Sequence, residues 1–220
     1  MQVEHALVED HPAALAVGAV LWVLSAFLLV AMAVDEWAAQ IQTIDDAVWE
    51  WVVRHENNVL VAIGKVFDLI GSVWVVTPVI IVVIGWLVLR KRWLHLTGFV
   101  SAMVVSQLMI GPIKDLYERP RPPLPLVETS SWSFPSGHAT ATAAIAVALV
   151  FIVVPAGAQR RNLVLAAALF SVLMASSRVY LRAHWLSDVL AGVAIGAGVS
   201  VLCMTAVSWV YQRRTEVEPN

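Results

Sequence analysis

Six long apolar stretches, separated by short polar turns, set the pattern of this chain. They run Ala13–Val34, Val73–Leu89, Leu94–Ile113, Ala139–Val154, Leu163–Val179 and Val189–Val210. A helix of roughly 20 apolar residues crosses a bilayer core about 30 Å thick, and each stretch is near that length. Apart from Arg178, at the far end of the fifth, none holds an Asp, Glu, Lys or Arg. A charge at the bilayer centre costs about 2.5–3.5 kcal/mol on insertion scales, so the near-absence of charge is what membrane spans require. The pattern predicts an all-α polytopic membrane helix bundle with six transmembrane helices, residues 1–220 forming a single integral-membrane domain.

Between the first two spans the pattern changes. From Thr43 to Gly71, Ile44, Val48, Trp51, Val52, Val59, Ile63, Val66 and Ile70 recur near helical spacing, with Asp45, Asp46, Arg54, Glu56, Lys65 and Asp68 between them. This is the signature of an amphipathic interfacial helical segment at the membrane surface; a lid over a substrate is the other use such a segment could have. The basic clusters Arg90-Lys91-Arg92, Arg160-Arg161 and Arg213-Arg214 fall on one side of a six-span chain. The positive-inside rule makes that side, with both termini, cytoplasmic. Residues 35–72, 114–138 and 180–188 then face outward. Trp37, Trp74, Trp93, Trp185 and Trp209 lie near span ends, as an interfacial aromatic belt would, whereas Trp22 and Trp86 lie deeper and read as packing residues.

Composition agrees: 60% of the residues are hydrophobic and 14% charged, far from the balance of a soluble domain. A net charge of −2 and the lack of a basic run leave no nucleic-acid surface. Cys203 stands alone in an apolar stretch and reads as a packing residue. No basic residue precedes the first span, so that span reads as a retained helix rather than a cleaved signal. The tail from Thr215 to Asn220 is polar and is expected to fray.

Most residues capable of chemistry sit in two outward segments. The first opens at Lys114 and continues through Arg119-Pro120-Arg121-Pro122-Pro123. The prolines end the helix and stiffen the chain, so that Lys114 and Arg121 can approach one anion from a helix end and a rigid loop. Taken alone, these cations could equally snorkel toward lipid headgroups. Next, Ser133-Phe134-Pro135-Ser136-Gly137-His138 directly precedes the fourth span. Pro135 and Ser136 suit a helix start, Gly137 allows close backbone approach, and a helix N-terminus is a ready phosphate site. A plain cap explains Ser136 and Pro135 but not a histidine at the membrane edge. The third group is Ser177-Arg178, then His184 and Asp188. A carboxylate bonded to one imidazole nitrogen fixes the tautomer and makes the other nitrogen a better nucleophile; a structural His–Asp pair capping the sixth span is the alternative. All three groups map to one membrane face, which favours a shared phosphate site.

These motifs resemble those of the type-2 phosphatidic acid phosphatase superfamily, the lipid phosphate phosphatases: Lys-x6-Arg-Pro, then Pro-Ser-Gly-His, then Ser-Arg-x5-His-x3-Asp. They are met by Lys114 with Arg121-Pro122, by Pro135-Ser136-Gly137-His138, and by Ser177-Arg178 with His184 and Asp188. Because Arg119-Pro120 repeats the Arg-Pro pair, the register of the first motif has a second reading, and Arg119 is a candidate supporting or headgroup contact. The resemblance implies His184 as nucleophile, Asp188 as its partner and His138 as acid then base. It also implies Lys114, Arg121, Arg178, Ser136 and Gly137 as the phosphate-binding set, with Ser177 and Pro135 in support.

The same resemblance implies a metal-independent reaction without a cofactor, on a membrane lipid phosphate presented at the outer surface of the cell membrane. Candidate substrates are an isoprenoid diphosphate such as undecaprenyl diphosphate, phosphatidylglycerol phosphate and phosphatidic acid, and a compact chain with an outward site leans toward the first. A lipid-phosphate phosphotransferase using the same site, and a non-catalytic lipid-binding or transporting membrane protein, are the rivals. His5, His11, His55 and His95 read as singletons. Gly192 and Gly196 form a small-xxx-small pattern, used either inside the bundle or in a homodimer.

Overall fold

The structure, a computed structural model, describes residues 7–8, 11–155 and 158–217. Among them it contains eight helices: α1 (His11–Ala33), α2 (Asp35–Arg54), α3 (Asn58–Ile70), α4 (Val73–Leu89), α5 (Trp93–Tyr117), α6 (Gly137–Val153), α7 (Ala158–Tyr180) and α8 (Leu186–Val217). Four of these, α1, α5, α7 and α8, are long and apolar enough to cross a membrane. α3 and α4 meet that test together, as a pair bent by 45° across Gly71 and Ser72. α6 has 17 residues, about 26 Å at 1.5 Å per residue, and is a shorter apolar helix.

α6 and α8 pack against each other at the centre of the bundle. The buried face of α6 is mostly alanine and threonine, and small side chains let α8 come close. A Cβ on Gly192 would fall 2.7 Å from the Ser136 carbonyl oxygen, and one on Gly196 would fall 2.1 Å from that of Thr140. The small-residue pattern is therefore used inside the bundle, where only a hydrogen fits between the two backbones. Away from the functional end, Leu87, Phe99, Ala148, Ile152 and Met204 form the main apolar cluster, with half-buried Cys203 packed against it. Val23 on α1, Val82 on α4, Leu108 on α5 and Leu165 on α7 are instead strongly exposed. Such continuous apolar outer surface belongs against lipid.

The helix ends follow from local chemistry. Asn57 caps α3, its side chain accepting from the N–H groups of Val59 and Leu60. α5 stops where Glu118 turns left-handed (φ 41°), ahead of Pro120. It therefore extends past the predicted end at Ile113, because Pro112 inside the helix does not break it. The amphipathic segment proves to be two helices, starting at Asp35 rather than Thr43; Asp35 and Glu36 in the first turn of α2 suit its dipole. Both are docked onto the bundle. Trp49 Nε1 donates to the Pro123 carbonyl (3.1 Å), and the Asn57 N–H donates to the Tyr180 hydroxyl (2.8 Å). At the other end α8 stays helical through Val217, beyond the expected fraying point at Thr215.

Candidate active site

The segment from Glu118 to Ser136, the turn from Leu181 to Trp185, and the starts of α6 and α8 gather at one end of the bundle, flanked by α2 and α3. His184 sits in that turn. Its N–H and that of Ala183 donate to the Arg178 carbonyl (3.3 and 3.0 Å), folding the turn back onto α7. The side chain is 3% exposed. Nδ1 lies 3.4 Å from Asp188 Oδ2, and Nε2 lies 3.3 Å from Arg121 Nη1. His184 and Asp188, four residues apart, do not lie on one helix. α8 begins at Leu186, and Asp188 in its first turn accepts from the Trp185 N–H at 2.9 Å while reaching back to the preceding histidine. Burial, which penalises the imidazolium, outweighs the Asp188 carboxylate and lowers the His184 pKa from 6.5 to about 4. At neutral pH the imidazole is uncharged, the form with a free lone pair.

Asp188 is held on several sides. Arg119 Nη1 donates to Oδ1 at 2.6 Å, and the Ser133 hydroxyl donates to Oδ2. The other arm of Arg119 donates to Asp45 Oδ2 and to Gln42 Oε1, each at 2.7 Å. Ser187 closes the group, its N–H donating to Asp45 Oδ1 at 3.0 Å and its hydroxyl to Oδ2 at 2.6 Å. Arg119 therefore does not reach headgroups: its side chain is 6% exposed and its guanidinium lies over the Trp185 ring. The same contact removes Trp185 from the expected aromatic belt, since its ring is buried and its Nε1 donates to the Pro120 carbonyl. Trp74 and Trp93 are exposed as a belt requires. Trp86 is partly exposed too, with Arg92 over its ring, rather than packed inside.

The geometry distinguishes the two Arg-Pro pairs. Arg121 borders His184 and donates to the carbonyls of Ser131 (2.6 Å), Ala183 (2.7 Å) and Trp132 (3.3 Å). Lys114 Nζ donates to the same Trp132 carbonyl, so the helix-end lysine and the loop arginine do converge. Burial first, and the Arg178 guanidinium next, lower the Arg121 pKa. Arg178 is 3% exposed and pairs with Asp68 of α3, its Nε having no hydrogen-bond partner.

At the start of α6, Ser136 caps the helix, its Oγ accepting from the Ala139 N–H at 3.4 Å, while its own N–H donates to the Asp188 carbonyl at 3.0 Å. A Cβ on Gly137 would meet no atom within 4 Å, so internal packing does not demand a glycine there. His138 lies in the first turn, with Nε2 3.4 Å from Asp68 Oδ1. Pro135 is buried behind the cap. Ser177 stays out of the group, its hydroxyl donating to the Met174 carbonyl of its own helix at 2.7 Å. His55 and His95 are not singletons: His55 stacks on Trp51, and His95 Nε2 lies 2.7 Å from Arg92 Nη2. His5 lies outside the described residues.

Sequence reasoning missed Asp68, Asp45, Gln42, Ser133 and Ser187. For Asp68 a signal existed: it interrupts Val66-Phe67 and Leu69-Ile70, and a carboxylate inside such an apolar run calls for a partner. Asp45 and Ser187 gave no such signal, because their contacts join segments far apart in the chain.

Buried cations around a neutral histidine, at one end of an apolar helix bundle, form a site suited to an anion. The chain belongs to the PAP2 superfamily, whose family model matches residues 95–212. It is 30% identical over 178 residues to phosphatidylglycerophosphatase B of Bacillus subtilis (strain 168), covering 77% of this chain and 85% of that protein. Its fold matches the crystal structure of a transmembrane PAP2-type phosphatidylglycerolphosphate phosphatase from Bacillus subtilis, with a TM-score of 0.74 at 24% identity over 90% of this chain and 96% of the other. Aquifex aeolicus LpxE matches with a TM-score of 0.58 at 20% identity, over 71% and 92% of the two chains.

Proposed function

We propose that this enzyme hydrolyses a lipid phosphate through a phosphohistidine on His184, with phosphatidylglycerol phosphate the leading candidate substrate. The observation that carries the reading is the placement of the His184 imidazole: Nδ1 faces the Asp188 carboxylate and Nε2 faces Arg121. The nitrogen proposed to attack thus lies beside the Arg121 cation, while the other faces a carboxylate at 3.4 Å.

In the first step the Nε2 lone pair attacks phosphorus, a P–N bond forms, and the bond to the lipid oxygen breaks in line. His138 gives its proton to that departing oxygen. In the second step water attacks phosphorus and loses a proton to His138, and the P–N electrons return to His184. Lys114, Arg121, Arg178, Ser136 and the Gly137 N–H hold the remaining oxygens as charge builds, the main work of a phosphoryl-transfer site. Among the three substrate candidates, phosphatidylglycerol phosphate is favoured by the 30% identical relative named for that activity.

The hydrocarbon part of the substrate has a suitable neighbour. A cavity of about 450 Å³ lies between α3, α4, α6 and α7, lined by apolar groups such as Val79, Ala146, Leu149 and Phe170, with Ile70 and Thr142 at one end. Thr142 is one helical turn from His138 and donates to its carbonyl at 2.6 Å. An acyl chain seated there would bring its phosphate ester toward His138. With α3–α4 and α6 each counted as a span, the bundle has six and both termini share one side; the basic clusters on that side support the cytoplasm for the termini and the extracytoplasmic side for the site.

The test is inorganic phosphate release in detergent with EDTA present, across a panel of lipid mono- and diphosphates, for wild type and His184→Ala. Release by wild type alone, with trapped phosphohistidine absent from the variant, is the expected result. Phosphate release by His184→Ala at wild-type rate removes the covalent scheme.

A further inference from the structure

The site contains two histidine–carboxylate pairs, and the mechanism above accounts for one. His184 Nδ1 lies 3.4 Å from Asp188 Oδ2, and His138 Nε2 lies 3.4 Å from Asp68 Oδ1. The second carboxylate comes from α3, outside the motifs that identify the family and outside the residues its model matches. The same oxygen of Asp68 also accepts from Arg178 Nη1. α3 is held close to the imidazole at its end as well, because a Cβ on Gly71 would fall 2.6 Å from His138 Cδ2. His138 is thus faced by Asp68 and Gly71 from the α3 end and by Arg178 from α7; burial first, then the charge of Arg178 and less that of Arg121, push its pKa down to about 4, and Asp68 opposes them.

We propose that Asp68 is a positioning residue for phosphoryl transfer, orienting the His138 ring and favouring the protonated form that donates to the leaving oxygen. The proposal rests on the reading of His138 as general acid. A carboxylate on one ring nitrogen leaves the other for the substrate, the arrangement that Asp188 gives His184. The link to Arg178 adds a dependence on substrate. Asp68 is the counter-ion of Arg178; a phosphate dianion at that guanidinium competes for it, leaving the Asp68 charge to act on His138. The competing account makes Asp68 a mere obstacle that neutralises Arg178, in which case its removal would favour the substrate.

The two accounts separate on how activity depends on the leaving group. The full chain in detergent is assayed on two amphiphiles with the same long alkyl chain, an alkyl monophosphate and a chain-bearing 2-nitrophenyl phosphate. An alkoxide must be protonated as it departs, whereas a nitrophenolate leaves unaided. Asp68→Asn is expected to lower kcat/KM for the alkyl phosphate by about 10–100-fold and for the nitrophenyl ester by less than about 3-fold. His138→Ala, run in parallel, is expected to give the same contrast with a larger loss. Asp68→Glu, which keeps the carboxylate, is expected to retain more alkyl-phosphate activity than Asp68→Asn and serves as the second variant should the asparagine protein fail to fold. Equal losses on both substrates, a rise in kcat/KM, or no advantage of Glu over Asn overturns the proposal. A leaving-group contrast in His138→Ala but not at Asp68 removes Asp68 alone; no contrast in His138→Ala removes the general-acid reading beneath it.

Discussion

Arg119 Nη1 and Asp188 Oδ1 meet at 2.6 Å with both side chains almost wholly removed from solvent, and the other arm of the guanidinium holds Asp45 of α2 at 2.7 Å. One cation therefore joins the loop after α5, the start of α8 and α2. Because Asp188 faces His184, this buried triad also fixes the carboxylate beside that imidazole.

Breaking such a network is costly. Arg119→Ala leaves two carboxylates without their shared cation, and breaking a buried pair destabilises by about 3–5 kcal/mol. A clear loss of melting temperature in detergent, together with loss of phosphate release, is expected. Arg119→Lys keeps the charge but not the two-armed geometry and should recover stability in part. If Arg119→Ala melts as wild type does, the triad is not holding the site together.

The helix start at Pro-Ser-Gly-His and the membrane character were legible because each depends on neighbours in sequence, and apolar runs are local by definition. Arg119 shows where that stops. Its sequence setting, Arg-Pro, is that of Arg121, yet one guanidinium is enclosed by Asp45 and Asp188 and the other borders His184. Only the docking of α2, more than sixty residues away in sequence, separates them. Asp68 and Asp45 were read as polar positions of an amphipathic helix at the membrane surface, because helical spacing reports which residues share a face and not what that face meets.

Asp188→Asn keeps the shape of the side chain and removes the charge facing His184 Nδ1. An amide has a different donor and acceptor pattern and can hold the wrong tautomer, the cause of a loss of about 10⁴ in serine-protease triads. A fall in phosphohistidine formation of roughly 10²–10⁴ is expected by rapid quench. Asparagine also leaves the Arg119 cation with one carboxylate partner, so melting should be measured alongside; a loss of rate without a matching loss of folded protein assigns the effect to chemistry. An unchanged rate would deny Asp188 its orienting role.

Gly196→Ala tests the close approach of α6 and α8. The added methyl would lie 2.1 Å from the Thr140 carbonyl oxygen, a backbone atom that cannot swing aside. Overpacking of this kind costs about 1–3 kcal/mol or more. It would also separate the helices that carry His138 and Asp188, so activity should fall together with melting temperature. Gly85→Ala is the control, because no atom lies within 4 Å of the methyl it adds. Equal behaviour of the two variants would mean that α6 and α8 pack less closely than described.

The pH dependence follows from the depressed His184 pKa. Burial holds the folded imidazole neutral down to about pH 4, against 6.5 for an exposed histidine. Protonation removes the lone pair that attacks phosphorus, so the His184 contribution to kcat/KM should be fully present at pH 6 and lost only as pH falls through about 4. Rates must be corrected for the substrate's own phosphate ionisation, which otherwise places a false limb near neutrality. The stability sign runs the same way. Between pH 6.5 and 4 the unfolded chain binds a proton at this residue and the folded chain does not, so acidification through that window favours unfolding. The measurement is phosphoenzyme formation against pH in a single turnover, with melting followed over the same range. A limb for His184 at pH 6–7, after correction, would mean that its imidazole is more open to solvent or more strongly supported by Asp188 than its burial implies. The nucleophile would then be largely protonated at mildly acidic pH.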